Sequence, residues 1–396
     1  MKRFIPLTIV AFVLNLAAAV AQTINPDTTV SGYEQRKLKL EEVNFVTGYY
    51  SQDGNNSAVT GGIGTEKLTD FSNTFDVSLS RYDAKNRKHT FDLQLGFDTY
   101  TSASSDKIDP STISSASYSD KRIYPSLNWN VSNENKGTTF GANVYYSTEY
   151  DYQSIGTGLN FIKTSADKHR EFGVKAQFFF DTWKIILPIE LRGPGADEES
   201  SPRNTYSLAL SWMQVINKSF QALLLVEPSY QHGLLATKYQ RVYFTNNSEA
   251  SEELPSSRYK LPIGVRLNYF LTDRIIIRTL NRFYTDDWGI NSYTGDIEVP
   301  VKITPFVSLS PFYRYYNQSS ADYFAPYASH QAGESFFTSD YDLSSFNSNF
   351  FGTGLRLAPP KGIFTNHLSM LEIRYGHYKR SNGLASDIVS LNLKFK

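Results

Sequence analysis

The stretch from 258 to 283 restricts the fold more than any other. Its odd positions Tyr259, Leu261, Ile263, Val265, Leu267 and Tyr269 are apolar or aromatic, while Lys260, Pro262, Gly264, Arg266 and Asn268 interleave with them. A period of two is the mark of an extended strand with one apolar and one polar face. Thr272-Asp273-Arg274 then turns the chain into Ile275, Ile277, Thr279 and Phe283, with Arg278 and Arg282 facing the other way, so the stretch reads as a hairpin. Strands of soluble sandwiches usually run about 5 to 6 residues. This run is about 10, the length that crosses a bilayer at a tilt. Tyr259 and Tyr269, at its two ends, are placed for the two headgroup levels. The pattern predicts an all-β fold, a transmembrane antiparallel up-and-down β-barrel.

Composition agrees with a barrel and narrows the rest. The chain has 396 residues, enough for one large barrel. Lys plus Arg and Asp plus Glu both number 39, and no basic stripe is present of the kind a phosphate backbone needs, so nucleic acid is excluded as a partner. Without cysteine there are neither disulfides nor thiolate metal sites. The 27 Tyr and 27 Phe, against only 4 Trp, suit interfacial girdles. A mean hydropathy of −0.37 rules against a bundle of membrane helices but not against a barrel, where half of each strand is polar.

The first residues read as a cleaved signal peptide, 1–21: Lys2-Arg3, an apolar run from Ile5 to Val20, then Ala19-Val20-Ala21 before Gln22. A polar periplasmic lead-in follows over 22–41, and the barrel occupies 42–396. No later apolar run approaches the length of a membrane helix. An exported chain of this kind belongs in the bacterial outer membrane, with outer-membrane lipid around it. The barrel-assembly machinery is its expected partner during insertion. The last strand, Val389, Leu391, Leu393 and Phe395, looks like an insertion signal, although Lys396 stands where a terminal aromatic is commoner.

Roughly 17 alternating runs can be traced, and an even barrel needs 16 or 18, of which about 16 is favoured. The odd run falls in the first hairpin, where Val43 to Tyr49 turns at Asp53-Gly54-Asn55-Asn56 into a weaker, glycine-rich strand from Ala58 to Thr65. With Phe395 on the periplasmic side, the long connections 99–121, 181–204, 231–257 and 317–340 all fall outside. The short ones 83–88, 133–137, 165–169, 217–219, 272–274, 304–306 and 359–363 fall in the periplasm. Outer-membrane barrels show this asymmetry. A short strand from Lys184 to Leu191 is expected inside the second long loop.

Residues that carry chemistry are few. His89, His169, His232, His330, His367 and His377 include no pair at metal-ligand spacing on one strand face, and neither a flanked nucleophilic serine nor a phosphate-cradling loop is present. No metal and no cofactor is expected. Asp286 and Asp287 fall at the rim, where two adjacent carboxylates act as acid and base in a barrel-borne hydrolase or, more commonly, cap a tight turn. Arg266, Arg278, Arg282, Glu298, Lys302, Arg314, Glu372 and Arg374 lie on the polar faces of C-terminal strands. They make either a mutually neutralising ladder that fills the barrel or a charged constriction in a water-filled pore; the interspersed signs favour the ladder. The loop 99–121 is serine-rich, and its Asp106, Asp109 and Asp120 lack the spacing of a calcium cage.

At several of these places the sequence resembles an uncharacterised outer-membrane family, domain of unknown function 3570. The likeness rests on Phe97-Asp98-Thr99-Tyr100 with Arg122, on Gly233-Leu234-Leu235 through Tyr239 and Arg241, and on Arg282-Phe283-Tyr284-Thr285-Asp286-Asp287-Trp288-Gly289-Ile290. It continues with Glu298, Tyr313-Arg314, Gln318 to Asp322 and Ser339-Asp340-Tyr341. Thr101-Ser102-Ala103-Ser104 departs from the family pattern in lacking a glycine. The resemblance implies a barrel with no established activity, and outer loops that fold together. It also implies a place in an envelope redox assembly with a lipoprotein or periplasmic partner. The expected role is a pore or a scaffold, with a hydrolase at the extracellular rim as the alternative.

Overall fold

The computed structural model describes residues 36–101, 119–193, 199–364 and 367–396. The expected signal peptide, most of the lead-in and the serine-rich residues 102–118 lie outside these. Eighteen strands close into one antiparallel sheet. In chain order the first eight are β1 (Lys39–Asp53), β2 (Leu68–Tyr82), β3 (Lys88–Thr101), β4 (Ser119–Asn133), β5 (Thr138–Thr148), β6 (Tyr152–Thr164), β7 (Arg170–Lys184) and β8 (Ser200–Asn217). Then come β9 (Phe220–Val226) and β10 (Ser229–Gly233), the small loop hairpin β11 (Arg241–Tyr243) and β12 (Glu249–Ser251), β13 (Ser257–Phe270) and β14 (Ile276–Asp286). The chain finishes with β15 (Asn291–Glu298), β16 (Val301–Thr304), β17 (Val307–Gln318), β18 (Phe346–Leu357), β19 (Leu368–Arg380) and β20 (Ala385–Phe395). Closure is made by β20 on β1, where Val43 faces Phe395 and Tyr49 faces Val389.

Two staves are each built from a pair of strands, so the wall has 16 staves. Proline makes both breaks, because it has no N–H to give the ladder. At Pro228 the stave β9–β10 interrupts, yet Leu208 N–H reaches the Pro228 carbonyl at 3.0 Å and both halves pair with β8 and β13. At Pro300 the stave β15–β16 does the same, its carbonyl taking the Ile276 N–H at 3.1 Å.

The first hairpin corrects the sequence reading. Residues Ala58–Thr60 form a 3-10 turn rather than a strand, and Gly61, Gly62 and Gly64 have φ of 78°, 89° and 84°, a backbone only glycine adopts freely. Removing that run from the count leaves the even number. Lys184 to Leu191 is likewise no strand: β7 ends at Lys184, and Ile189–Leu191 is a 3-10 turn. The barrel also starts slightly earlier than expected, at Lys39.

The wall turns its apolar side outward. Ile263 and Val265 are 38% exposed and Ile155 is 61% exposed, values that in a water-soluble fold would leave the surface covered in aliphatics. Near the outer end, Phe178, Tyr206, Tyr230 and Tyr259 are direct cross-strand neighbours, with the Tyr230 and Tyr259 rings 4.4 Å apart. Near the periplasmic end, Phe172 meets Trp212 and Phe220 meets Tyr269, each with ring centroids 6.4 Å apart. Two aromatic belts with an aliphatic band between them are what a bilayer requires of a barrel, and only closed barrels and helices satisfy every backbone group in lipid. No helix among the described residues is long and apolar enough to span a membrane.

Candidate functional site: the lumen and its loop cap

Staves about 4.8 Å apart and tilted about 40° give a 16-stave wall a diameter of about 30 Å, too wide for side chains to fill. The polar faces of the strands line this space unevenly. From β13 round to β19 the charges are mostly paired: Arg278 with Glu298 at 3.5 Å, Arg282 with Glu227 at 3.0 Å and Arg314 with Asp296 at 2.9 Å. Arg374 is shared by Glu298 at 2.9 Å and Glu372 at 3.0 Å, while Arg266 makes no ion pair among the described residues. The ladder exists, but it does not fill the barrel. The Arg278, Arg282 and Arg314 side chains are 44–49% exposed, and a cavity of about 230 Å³ opens beside Arg314 and Arg374. Phe312 and Phe350 lie under those guanidiniums, 5.4 Å from Arg374 and 5.9 Å from Arg314, and keep them extended along the wall.

The opposite arc has another sign. Asp70, Asp76, Asp92 and Asp98 share the inward face of β2 and β3, and three of them are held by neutral partners: Gln94 on Asp76 at 2.9 Å, Ser78 on Asp92 at 2.6 Å and Tyr124 on Asp98 at 2.9 Å. β2 and β3 are the second and third staves, β13 and β14 the tenth and eleventh, so the aspartates stand half a circumference from Arg266, Arg278 and Arg282. Arg122, directly across from Asp98 in the register, bends instead toward the outer end, where it meets Tyr145 at 2.9 Å and Glu149 at 3.5 Å.

Above the lumen the outer connections form a body of their own. Val59, from the connection between the first two staves, packs on Ile186, from that between the seventh and eighth, with Tyr239 against both. These hairpins lie six stave positions apart, so their contact takes the chain across the mouth. Arg241, 6% exposed, ties the same groups together through Glu190 at 2.5 Å and the Val59 carbonyl at 3.0 Å. A second cluster joins Ala236, Leu254 and Trp288, with Tyr323 and Leu343 packed on it. Loops 234–256 and 319–345 add backbone pairing between Glu253 and Phe337.

Most of the sequence-level candidates at the rim prove to build this cap. Asp286 is fully enclosed: it pairs with Arg258 at 2.5 Å, takes the Tyr284 hydroxyl at 2.7 Å, and accepts the N–H groups of Trp288 and Ile290 at 3.0 Å each. Asp287 accepts the Tyr259 N–H at 3.0 Å, and Trp288 lies under the Arg258 guanidinium and donates its indole N–H to the Ser257 carbonyl. Gln318 donates to the carbonyls of Ser344 and Asp342, and the backbone N–H of Asp322 reaches the Trp288 carbonyl at 2.8 Å. Asp286 thus caps the turn, while Asp287 fastens the turn to the start of β13.

Two acids of the cap gain a place only in the structure. Glu252 is 2% exposed, its carboxyl bonded to the Thr338 hydroxyl and the Thr237 N–H at 2.5 Å each. Asp340 accepts the Asp342 N–H at 2.8 Å and faces Gln240 at 3.4 Å. Asp340 had a signal, since an Asp before Tyr341-Asp342 is a turn cap; Glu252, in an ordinary acidic pair, had none. Asp120, Glu149 and Asp151 bring carboxylate oxygens within 4.8 Å of one another at the rim. Asp120 there accepts backbone N–H groups of Lys121 and Tyr150, and Glu149 is occupied by Arg122 and Tyr100. A cavity of about 680 Å³ lies on the outside of the wall under Tyr206, Tyr230 and Tyr259 and faces lipid.

A family profile described as protein of unknown function, DUF3570, matches residues 12–382. The chain belongs to that family. No curated protein matches it in sequence. In fold this DUF3570 barrel is similar to OpdK of Pseudomonas aeruginosa crystallised with vanillate, at 8% identity and a TM-score of 0.42 over 89% of this chain and 97% of that one. It is similar also to a BenF-like porin of Pseudomonas fluorescens Pf-5, at 8% identity and 0.45 over 89% and 98%, and to Pseudomonas aeruginosa OccD3 (OpdP), at 8% and 0.45 over 95% and 97%. The closed wall, its lipid-facing belt and its charged interior make the DUF3570 chain a porin-like barrel of the bacterial outer membrane.

Proposed function

We propose that the barrel conducts small hydrophilic solutes, with the cap setting access from outside. The observation that carries this reading is the solvated ladder. Charged groups half exposed along one arc, opposite a row of aspartates, line a space too wide to be packed, and such walls hold water and create a field across it. A solute with separated charges aligns in that field as it passes. A hydrolase at the rim has no support, because the Asp286 oxygens are consumed by Arg258, Tyr284 and two backbone groups.

Planar-bilayer recording of the purified full chain tests the proposal. Discrete conductance steps are expected, and Arg314→Glu with Arg374→Glu is expected to move the anion-to-cation permeability ratio toward cations by about a few-fold. Silence at every pH from 6 to 9 removes the pore and leaves the folded cap as the surface of a scaffold.

A further inference from the structure

Two carboxyls lie where the cap's two longest loops meet. Glu252, of loop 234–256, reaches Thr338 of loop 319–345, and Asp340 of the latter faces Gln240 of the former. Thr338 is 0% exposed, and its hydroxyl oxygen also takes the backbone N–H of Asp340 at 3.0 Å, while the Asp340 carboxyl accepts from Gln240 across the loops, so the two acids belong to one seam. We propose that this seam is a proton-operated lid: neutral Glu252 and Asp340 hold the two loops together across the mouth, and loss of their protons separates the loops. The consequence for conduction rests on the pore reading; the movement of the lid does not.

The surroundings decide the direction. Facing the pair are Asp342 from the same loop as Asp340, Glu66 from the connection between β1 and β2, and Lys238 and Tyr239 from the loop of Glu252. Glu149 and Asp151 lie beyond Tyr239. The cations and the imidazole nearby are engaged: Lys238 holds the Glu253 carboxylate at 2.5 Å, Arg380 holds Asp342 at 2.5 Å, and the buried His330 lies between the Thr338 carbonyl at 2.9 Å and Glu334 at 2.6 Å. Ionising the seam therefore adds like charges inside a closed body, where burial and neighbouring acids oppose the charged form and outweigh the hydrogen bonds from Thr338, Thr237, Gln240 and the Asp342 N–H that favour it. Burial first, and the charge of Asp340 second, push Glu252 up to about 8, while burial and Asp342 push Asp340 up to about 7. Both values stand above the ordinary carboxylate range, so the folded cap binds more protons than the open one. Its closure is fully supported below about pH 4 and is lost as pH rises through 7 to 8.

Neutral Glu252 is mimicked by Glu252→Gln, whose amide oxygen accepts the Thr237 N–H and whose amino group donates to the Thr338 oxygen. Hydrogen–deuterium exchange of the Thr237 and Asp340 amides, corrected for intrinsic rates, reads the seam in the detergent-solubilised full chain. Between pH 6 and pH 9 protection in the wild type is expected to fall at least about tenfold. Glu252→Gln with Asp340→Asn is expected to keep its protection throughout, and its open probability in bilayers to stay at the acidic level. Should Glu252→Gln fail to fold, seen as loss of the heat-dependent shift on gels, Asp340→Asn alone carries the test. Wild-type protection that ignores pH, or a double variant that loosens as the wild type does, overturns the lid. A lid that loosens with pH in a protein that never conducts leaves this inference standing and ends the pore.

Discussion

The wall and the cap are built from one chain but turn opposite sides to their surroundings. In the wall Val265 is 38% exposed, its apolar side chain outward and the charge of Arg266 inward. In the cap Val242 is 1% exposed, its apolar side chain turned inward as in a water-soluble fold. The wall is held by a continuous ladder in which each stave is fixed by two neighbours, and lipid supplies the apolar environment. Among the described residues the cap has two small clusters and a set of buried polar contacts, so most of its stability rests on a few specific pairs. The difference teaches where each part is vulnerable: the wall to charge on its outer face, the cap to loss of one partner.

The largest effect is expected from Asp286→Ala. It leaves the Arg258 guanidinium, only 14% exposed, without its carboxylate, and breaking one side of a buried pair costs about 3–5 kcal/mol. Exchange at Trp288 and Ile290 should rise sharply, together with that of loop 234–256, while the heat-dependent gel shift of the wall is retained. Loss of the folded wall in this variant would show that cap and wall are one cooperative unit. Next in size is Val265→Arg, which places a charge at mid-strand on the lipid face and costs about 2–4 kcal/mol by unfolding in vesicles. Its neighbour in sequence gives the control: Arg266→Val, on the lumen side and without an ion-pair partner among the described residues, should shift stability by no more than about 1 kcal/mol. Equal costs at 265 and 266 would contradict the assignment of the two faces.

This contrast also explains which parts could be read in advance. Every stave was visible as alternation because the membrane imposes one face on each strand, and Ile263, Val265 and Leu267 need no tertiary partner to be placed correctly. The cap has no such external constraint. Val59 and Thr60 sit in what reads as a strand, yet the left-handed glycines at 61, 62 and 64 turn the segment so that Val59 enters a cluster with Ile186, more than a hundred residues away. Breaks at Pro228 and Pro300 raised the number of strands without changing the number of staves. At the rim, Asp286 was legible as a turn cap, since an aspartate followed by a glycine within three residues satisfies its own backbone. Glu252 was not legible, because its burial depends on Thr338, 86 positions later.

A smaller loss than at Asp286 or Val265 is expected at Gly289, and it separates two kinds of strain in the cap. Gly289 has φ +89°, and a Cβ added there would come within 2.4 Å of the Asp322 carboxylate. Asp322 is exposed, so its side chain can swing into solvent, whereas the backbone cannot leave the left-handed region while Asp286 holds the N–H groups on both sides at Trp288 and Ile290. Gly289→Ala should then cost about 1–2 kcal/mol of cap stability, from the backbone alone. Asp322→Ala should be nearly silent, and adding it to Gly289→Ala should recover nothing in the exchange of the Trp288 amide. Recovery in the double variant would mean that the side-chain contact, not the turn, sets the cost, and that the cap is packed more tightly around its exposed acids than around its backbone.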